Sequence, residues 1–232
     1  HEVALAVAEG LCVVLIDSAC TALACAVQGW AQRSPEEPST EATVRGSKEG
    51  FVESLRVNTS ILRRRIADPR LHIEERRLGR VTRTLVAMAY VQGIARPSII
   101  EEVRSRLDRV DVDSIQESGQ LEELIRDAPL SPFPTIARTE RPDRIVGALL
   151  DGRIAIIVDG TPFVLTAPTT FMMYLTTPED YFELFYSGTL IRLTRLLALG
   201  VSLLLPSVYI AVTTFHQEML PTPLILSIAA QR

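Results

Sequence analysis

Cysteine is scarce in this 232-residue chain. There are three, Cys12, Cys20 and Cys25, and no CxxC pair. An odd number without that spacing argues against a disulfide framework. All three sit among apolar residues, so buried free thiols in a reducing compartment are expected. Histidine is equally rare. His1, His72 and His216 stand far apart, and none lies four residues from another His or Cys. A zinc centre needs clustered ligands, so no metal site is expected. GxSxG, GxGxxG and GxxxxGK[ST] are all missing, which removes the nucleophile elbow and both common phosphate loops. No Ser/His/Asp or Cys/His arrangement is local, although such triads assemble in space. An excess of basic charge is missing too. Lys and Arg number 24 against 28 Asp and Glu, a net charge of −4. That argues against a chain whose whole body binds nucleic acid. Disorder is excluded by a composition that is 47% hydrophobic and 22% charged. There is no internal repeat, no low-complexity segment and no basic region ahead of the first apolar stretch, so no signal peptide is read.

One local absence is the most informative. From Leu196 to Gln217 there is no Asp, Glu, Lys or Arg. Leu196–Phe215 is 20 residues, about 30 Å as a helix, the thickness of a bilayer's hydrocarbon core. Pro206 would break a soluble helix but is tolerated in a membrane bundle. Arg192 and Arg195 flank the N-terminal side, which places the larger N-terminal part in the cytoplasm by the positive-inside rule. The competing reading is a helix buried in a large soluble core. Tyr181, Phe182, Phe185 and Tyr186 fit either an aromatic belt or core packing. The apolar stretch 221–230 is too short to span and suggests an interfacial or re-entrant helix, or a second span begun.

Upstream, residues 11–16 and 20–27 read as strands around a turn at Asp17-Ser18. Gln32–Thr40, polar with two prolines, reads as a linker. A helix is predicted over Glu53–Ile66, with Leu55, Thr59, Leu62 and Ile66 on one face. Asp68-Pro69 stops it. A strand follows at Leu71–Glu75, then a central strand at Thr84–Gln92. Pro97–Val110, Ser118–Asp127 (apolar stripe Leu121, Leu124, Ile125) and Asp143–Leu150 read as helices. Arg153–Val158 and Thr161–Thr166 flank Asp159-Gly160, a strong hairpin signal. Strands alternating with helices give an α/β layered domain at about 44–176, with pairing direction left open.

No constellation speaks for catalysis. The adjacent pairs Glu36-Glu37, Glu74-Glu75, Glu101-Glu102 and Glu122-Glu123 point about 100° apart on a helix and read as solvated faces. Arg45-Gly46 to Gly50 opens a helix and could hold an anion, but it reads better as a glycine-permitted turn. Residues 44–83 hold eleven basic and five acidic residues, whereas 101–127 hold nine acidic and four basic. Three readings of that basic stretch stay open: anionic lipid headgroups, nucleic acid, or ion pairs to the acidic stretch.

Several segments together resemble a known family. They are Gly29-Trp30 with Gln32-Arg33, Glu37-Pro38, Val44–Phe51, Leu55–Thr59, Ile61–Arg65, Ser131–Pro134, Thr139–Asp143, Gly152–Phe163, Pro178–Tyr181, Leu203–Ser207 and Thr214–His216. In this order they are similar to the A subunit of GerA-type spore germinant receptors. The resemblance implies two cytoplasmic α/β subdomains followed by several membrane helices. This chain would then be a piece of a longer protein. It would hold the end of the first subdomain (1–43), the second subdomain (44–176), and an interfacial helix with the first span (177–232). The resemblance also implies a polytopic B subunit and a lipoprotein C subunit as partners, a homo-oligomer, and a place in the spore inner membrane with the N-terminal region cytoplasmic. The implied role is coupling nutrient sensing to ion release and germination, as a nutrient-gated channel. A membrane-anchored small-molecule binding module without a conducting role is the alternative. No enzyme activity, catalytic residue, metal or cofactor is expected, and no ligand site carries over. Structural candidates are Arg45, Gly46 and Gly50 at the start of the helix and Asp159 and Gly160 at the hairpin. Pro206 is either a hinge or a tolerated proline.

Overall fold

A computed structural model describes residues 3, 12–16, 22–25, 34–38, 40–41, 43, 46–127, 131, 133–177, 180 and 184–216. The chain divides into two units, His1–Ser34 and Pro35–Arg232.

In the first unit, β1 (Cys12–Leu15) and β2 (Ala22–Cys25) pair antiparallel, with Cys12 opposite Cys25. Cys12 is exposed and Cys25 half-buried, which corrects the expectation of buried thiols at these two positions. Two strands alone cannot cover either of their faces. Cys20 and the Asp17-Ser18 turn lie outside the described residues.

The second unit is built on one sheet of five antiparallel strands in the order β3-β4-β6-β7-β5. They are β3 (Leu71–Leu78), β4 (Thr84–Val91), β5 (Ala137–Thr139), β6 (Ile154–Val158) and β7 (Val164–Ala167). Helices cover both faces. Helices α1 (Leu55–Arg65) and α4 (Pro142–Leu150) pack on one face; α2 (Pro97–Asp108) and α3 (Ser118–Ile125) pack on the other. The alternation along β4 explains the layers. Val86, Met88 and Tyr90 face α2 and α3, while Ala87, Ala89 and Val91 face α1 and α4. Small side chains on the second face let those helices approach closely. Strand β6 reads as an unbroken apolar run because it is covered on both sides; all five of its residues are fully buried.

Two helices depart in detail from the sequence reading. In α1 the buried face is Leu55, Asn58, Ile61 and Leu62. Asn58 is buried because its amide closes on the chain just upstream. Val52 N–H donates to Asn58 Oδ1 at 2.9 Å, and Asn58 Nδ2 donates to the Val52 carbonyl at 2.6 Å. In α3 the stripe is Ser118, Leu121 and Ile125, whereas Leu124 is exposed. Two further elements went unread: the three-residue β5, and the single turn α5 (Phe171–Tyr174).

Part of the stretch read as a linker is packed into the second unit. Gly50 N–H donates to the Glu36 carbonyl at 2.8 Å, and Pro38 is buried. Arg141, only 1% exposed, spends its donors on Asp143 and on the chain just downstream of that stretch. Its guanidinium reaches both oxygens of Asp143, the Glu41 and Ser47 carbonyls and Thr43 Oγ1. A buried guanidinium is tolerable only when satisfied in this way.

Candidate functional site: the junction with the apolar helix

Helix α6 (Phe185–Thr214) runs for 30 residues with Pro206 inside it, about 45 Å at 1.5 Å per residue. It is long and apolar enough to cross a membrane, and none of its most apolar window is buried. That is the opposite of the buried core helix considered above. Phe185 and Tyr186 are 79% and 83% exposed, so core packing does not explain them. Tyr181 and Phe182 lie outside the described residues.

The base of α6 is fastened to the turn before it. Gly188, Arg192 and Arg195, at i, i+4 and i+7, lie on one face of the helix. All three meet Asp180. The Asp180 side chain is 2% exposed, with Oδ2 at 3.0 Å from Arg195 Nη1 and 3.4 Å from Arg192 Nε. Thr177 N–H and Thr177 Oγ1 also donate to the carboxylate, at 3.1 and 3.0 Å. Burial by itself would raise the Asp180 pKa. The Arg195 hydrogen bond and the two Thr177 donors outweigh it, and the pKa is lowered. Arg195 also donates to the Leu175 carbonyl. Glycine at 188 permits the approach, since a Cβ there would stand 2.9 Å from the Asp180 carbonyl oxygen. The arginines were visible in the sequence as charges flanking the span; Asp180 was not recognised as their partner.

Of the earlier candidates, Gly50, Asp159 and Gly160 make hydrogen bonds within the second unit. Arg45 lies outside the described residues, and Gly46 has a φ of 120°. The start of α1 is not free for an anion. Asp159 Oδ1 accepts the Leu55 N–H at 2.9 Å, and Gly160 N–H donates to the Glu53 carbonyl at 2.8 Å. The hairpin therefore caps a helix 104 residues upstream. This explains why β7 begins only at Val164: the Asp159 turn faces α1 instead of closing a two-residue loop.

The basic stretch is largely neutralised from within. Arg76 pairs with Asp108, Arg80 with Asp111, and Glu74 with Arg104 at 2.8 Å. Glu49 holds both Arg64 and Arg65. Arg76 and Arg80 thus pair with the acidic stretch, as the third reading has it, whereas Arg64 and Arg65 find their partner within the basic stretch itself. Among the described residues no group of three or more His, Cys, Asp and Glu side chains could hold a metal ion.

Comparison with known proteins gives the family. Residues 1–232 match the Bacillus/Clostridium GerA spore germination protein model. Spore germination protein KA of Bacillus subtilis is 49% identical over 96% of this chain and 41% of its own length. The chain belongs to the GerA family. Spore germination protein B1 of Bacillus subtilis is 44% identical, over 100% of the chain and 48% of that protein. The membrane protein YfkQ of the same organism is also 44% identical, over 100% of the chain and 45% of that protein. The GerA chain thus spans under half the length of these relatives. The N-terminal domain of the A subunit of the Bacillus megaterium germinant receptor GerK3 is 52% identical in sequence, with a TM-score of 0.43. It covers 53% of this chain and 97% of that one. Four of the segments that carry the resemblance meet in two pairs. Phe51 N–H donates to the Glu140 carbonyl at 2.8 Å, next to Arg141, and Asp159 meets Leu55.

Proposed function

We propose that this chain is the part of a germinant receptor A subunit that joins its soluble region to its first membrane span. In this reading α6 crosses the spore inner membrane and residues 44–176 form the second cytoplasmic subdomain. The subunit assembles with a polytopic B subunit, a lipoprotein C subunit and copies of itself, and couples nutrient sensing to ion release through a channel. The observation that carries the reading is the Asp180 junction. A buried carboxylate that holds two arginines of the apolar helix makes a stiff mechanical link between the soluble layers and the span. Such a connection carries motion from one side to the other.

The test is cation release from spores after nutrient addition, in a strain that lacks all paralogues and has this operon restored alone. Wild type is expected to release cations for at least one nutrient class. Asp180→Ala is expected to reach the membrane fraction at normal abundance and to release cations more slowly or not at all. Normal release from that variant would sink the coupling role.

A second reading has one observation in its favour. A cleft of about 540 Å³ opens beside the junction, between Arg138 and Arg144 on one side and Met173, Tyr174 and Thr177 on the other. A membrane-anchored binding module would use it for a small molecule. A thermal-shift screen of the purified subunit against amino acids, sugars and nucleotides tests this, since a ligand of the folded state raises Tm. A flat screen counts against it.

A further inference from the structure

Four large apolar side chains are exposed beside the junction, on α5 and on the 133–134 loop. Phe133, Phe171, Met172 and Tyr174 are 64%, 54%, 62% and 45% exposed. Phe133 and Phe171 meet edge to face, with ring centroids 6.3 Å apart. Tyr174 Oη donates to the Pro134 carbonyl at 3.0 Å, which ties the 133–134 loop to α5. This is one fixed apolar face made from two chain segments. Contiguous exposed apolar surface of this kind marks an interaction site.

Its position says what covers it. Arg195 is the last charged residue before the charge-free stretch, and its guanidinium donates to the carbonyl of Leu175, the residue after α5. One arginine side chain therefore separates the end of α5 from the level at which the span becomes wholly apolar. We infer that Phe133, Phe171, Met172 and Tyr174 form an interfacial foot that rests in the lipid surface next to α6. The inference depends on α6 being a membrane span. The chemistry suits that depth. Aromatic rings and a flexible thioether bury apolar surface at the headgroup boundary, and the tyrosine hydroxyl keeps a polar partner. The foot makes a second attachment of the soluble subdomain to the membrane. With Asp180 it fixes the tilt of the subdomain, which a single helix leaves free.

The experiment uses the full-length subunit in liposomes, without other cysteines and with one spin label at a time. Labels go at Met172, at Leu204 within the span, and at Val81. Val81 is also apolar and 78% exposed, but it sits on the β3–β4 turn at the far edge of the sheet. Each label is read by collision with oxygen, which concentrates in lipid, and with a water-soluble nickel complex. The expected result is an oxygen-to-nickel ratio at 172 several-fold above that at 81 and approaching that at 204. If 172 matches 81 while 204 is in hydrocarbon, the foot is overturned and the span stands. If 172 is sheltered from both reagents, protein covers the patch, and the lipid assignment is likewise overturned. If 204 is itself aqueous, the span fails and the foot with it.

Discussion

Replacing Asp180 by alanine isolates the junction. The substitution removes a carboxylate that is 2% exposed and takes partners from Arg195, Arg192 and Thr177. Breaking a fully buried ion pair costs about 3–5 kcal/mol. Here the arginine side chains are 30% and 42% exposed and recover part of their hydration. A loss of about 2 kcal/mol follows, since exposed pairs are worth less than 1 kcal/mol and buried ones more. At 1.4 kcal/mol per decade that raises the local opening constant roughly 30-fold. Hydrogen exchange on the full-length subunit at pH 7 reads this directly. The Thr177 and Asp180 amides, both tied into this turn, should exchange faster, while strand β6 should keep wild-type protection. The sign with pH is fixed by the lowered pKa. The carboxylate's contribution is complete above its unfolded value, about 3.9, and disappears as pH falls through the lower folded value. Wild type should therefore approach the variant only in acid, and neutral pH changes should leave the junction unmoved. Unchanged exchange at 175–180 in the variant would refute the reasoning. Equal acceleration in β6 would do so as well, because the effect would then be global.

Gly188→Ala tests the same contact by crowding it. The new Cβ would stand 2.9 Å from the Asp180 carbonyl. A strain of about 1–3 kcal/mol exceeds the gain in helix propensity of about 1 kcal/mol; exchange should rise at 175–180 although the helix itself is the better former. Asn58→Ala removes the side chain that satisfies both backbone groups of Val52. Two orphaned buried groups cost about 2–4 kcal/mol together. Thermal unfolding in detergent should show Tm lower by about 5–15 °C, and an unchanged Tm would dismiss the bridge. Glu74 is held below the usual carboxylate range by its hydrogen bond from Arg104, against the effect of burial and with help from Tyr90 and Arg76. Its contribution is present above about pH 4.3 and lost as pH falls through the lowered value. Glu74→Gln should flatten that acid limb, so the two stability curves converge at low pH; parallel curves would contradict it.

The long elements were legible because their periodicity had one solution. The unbroken apolar runs of β4 and β6 require cover on both faces, and helices on both sides of the sheet supply it. Strand direction was legible only between β6 and β7, through the Asp159-Gly160 hairpin signal. An alternation of helices and strands suits parallel crossovers equally well, yet every pair here is antiparallel. Short elements also escaped. Strand β5 has three residues and α5 four, too few for a period of 2 or 3.6 to repeat. Asn58 shows a different limit. A polar residue on a helix is assigned to the solvent face by pattern, and only its bond to Val52, six residues back, makes burial favourable.

The junction escaped for a topological reason. On a continuous helix Arg192 would seek a carboxylate at 188 or 189, and Arg195 at 191 or 192. Those positions hold glycine, threonine, isoleucine and arginine. The charges therefore had no helical partner, and flanking a span was a sufficient reason for them. Three acidic residues do lie upstream, at 179, 180 and 183, but spacing alone cannot choose among them. Asp180 is held in place by the turn in which its N–H donates to the Thr177 carbonyl and Thr177 returns two donors to the carboxylate. That turn orients one carboxylate towards α6, and Gly188 leaves the space for it. Two arginines with no carboxylate three or four residues before them, a glycine on their face and a Thr-x-x-Asp turn upstream together make a fold-back contact legible, although none of the three does so alone.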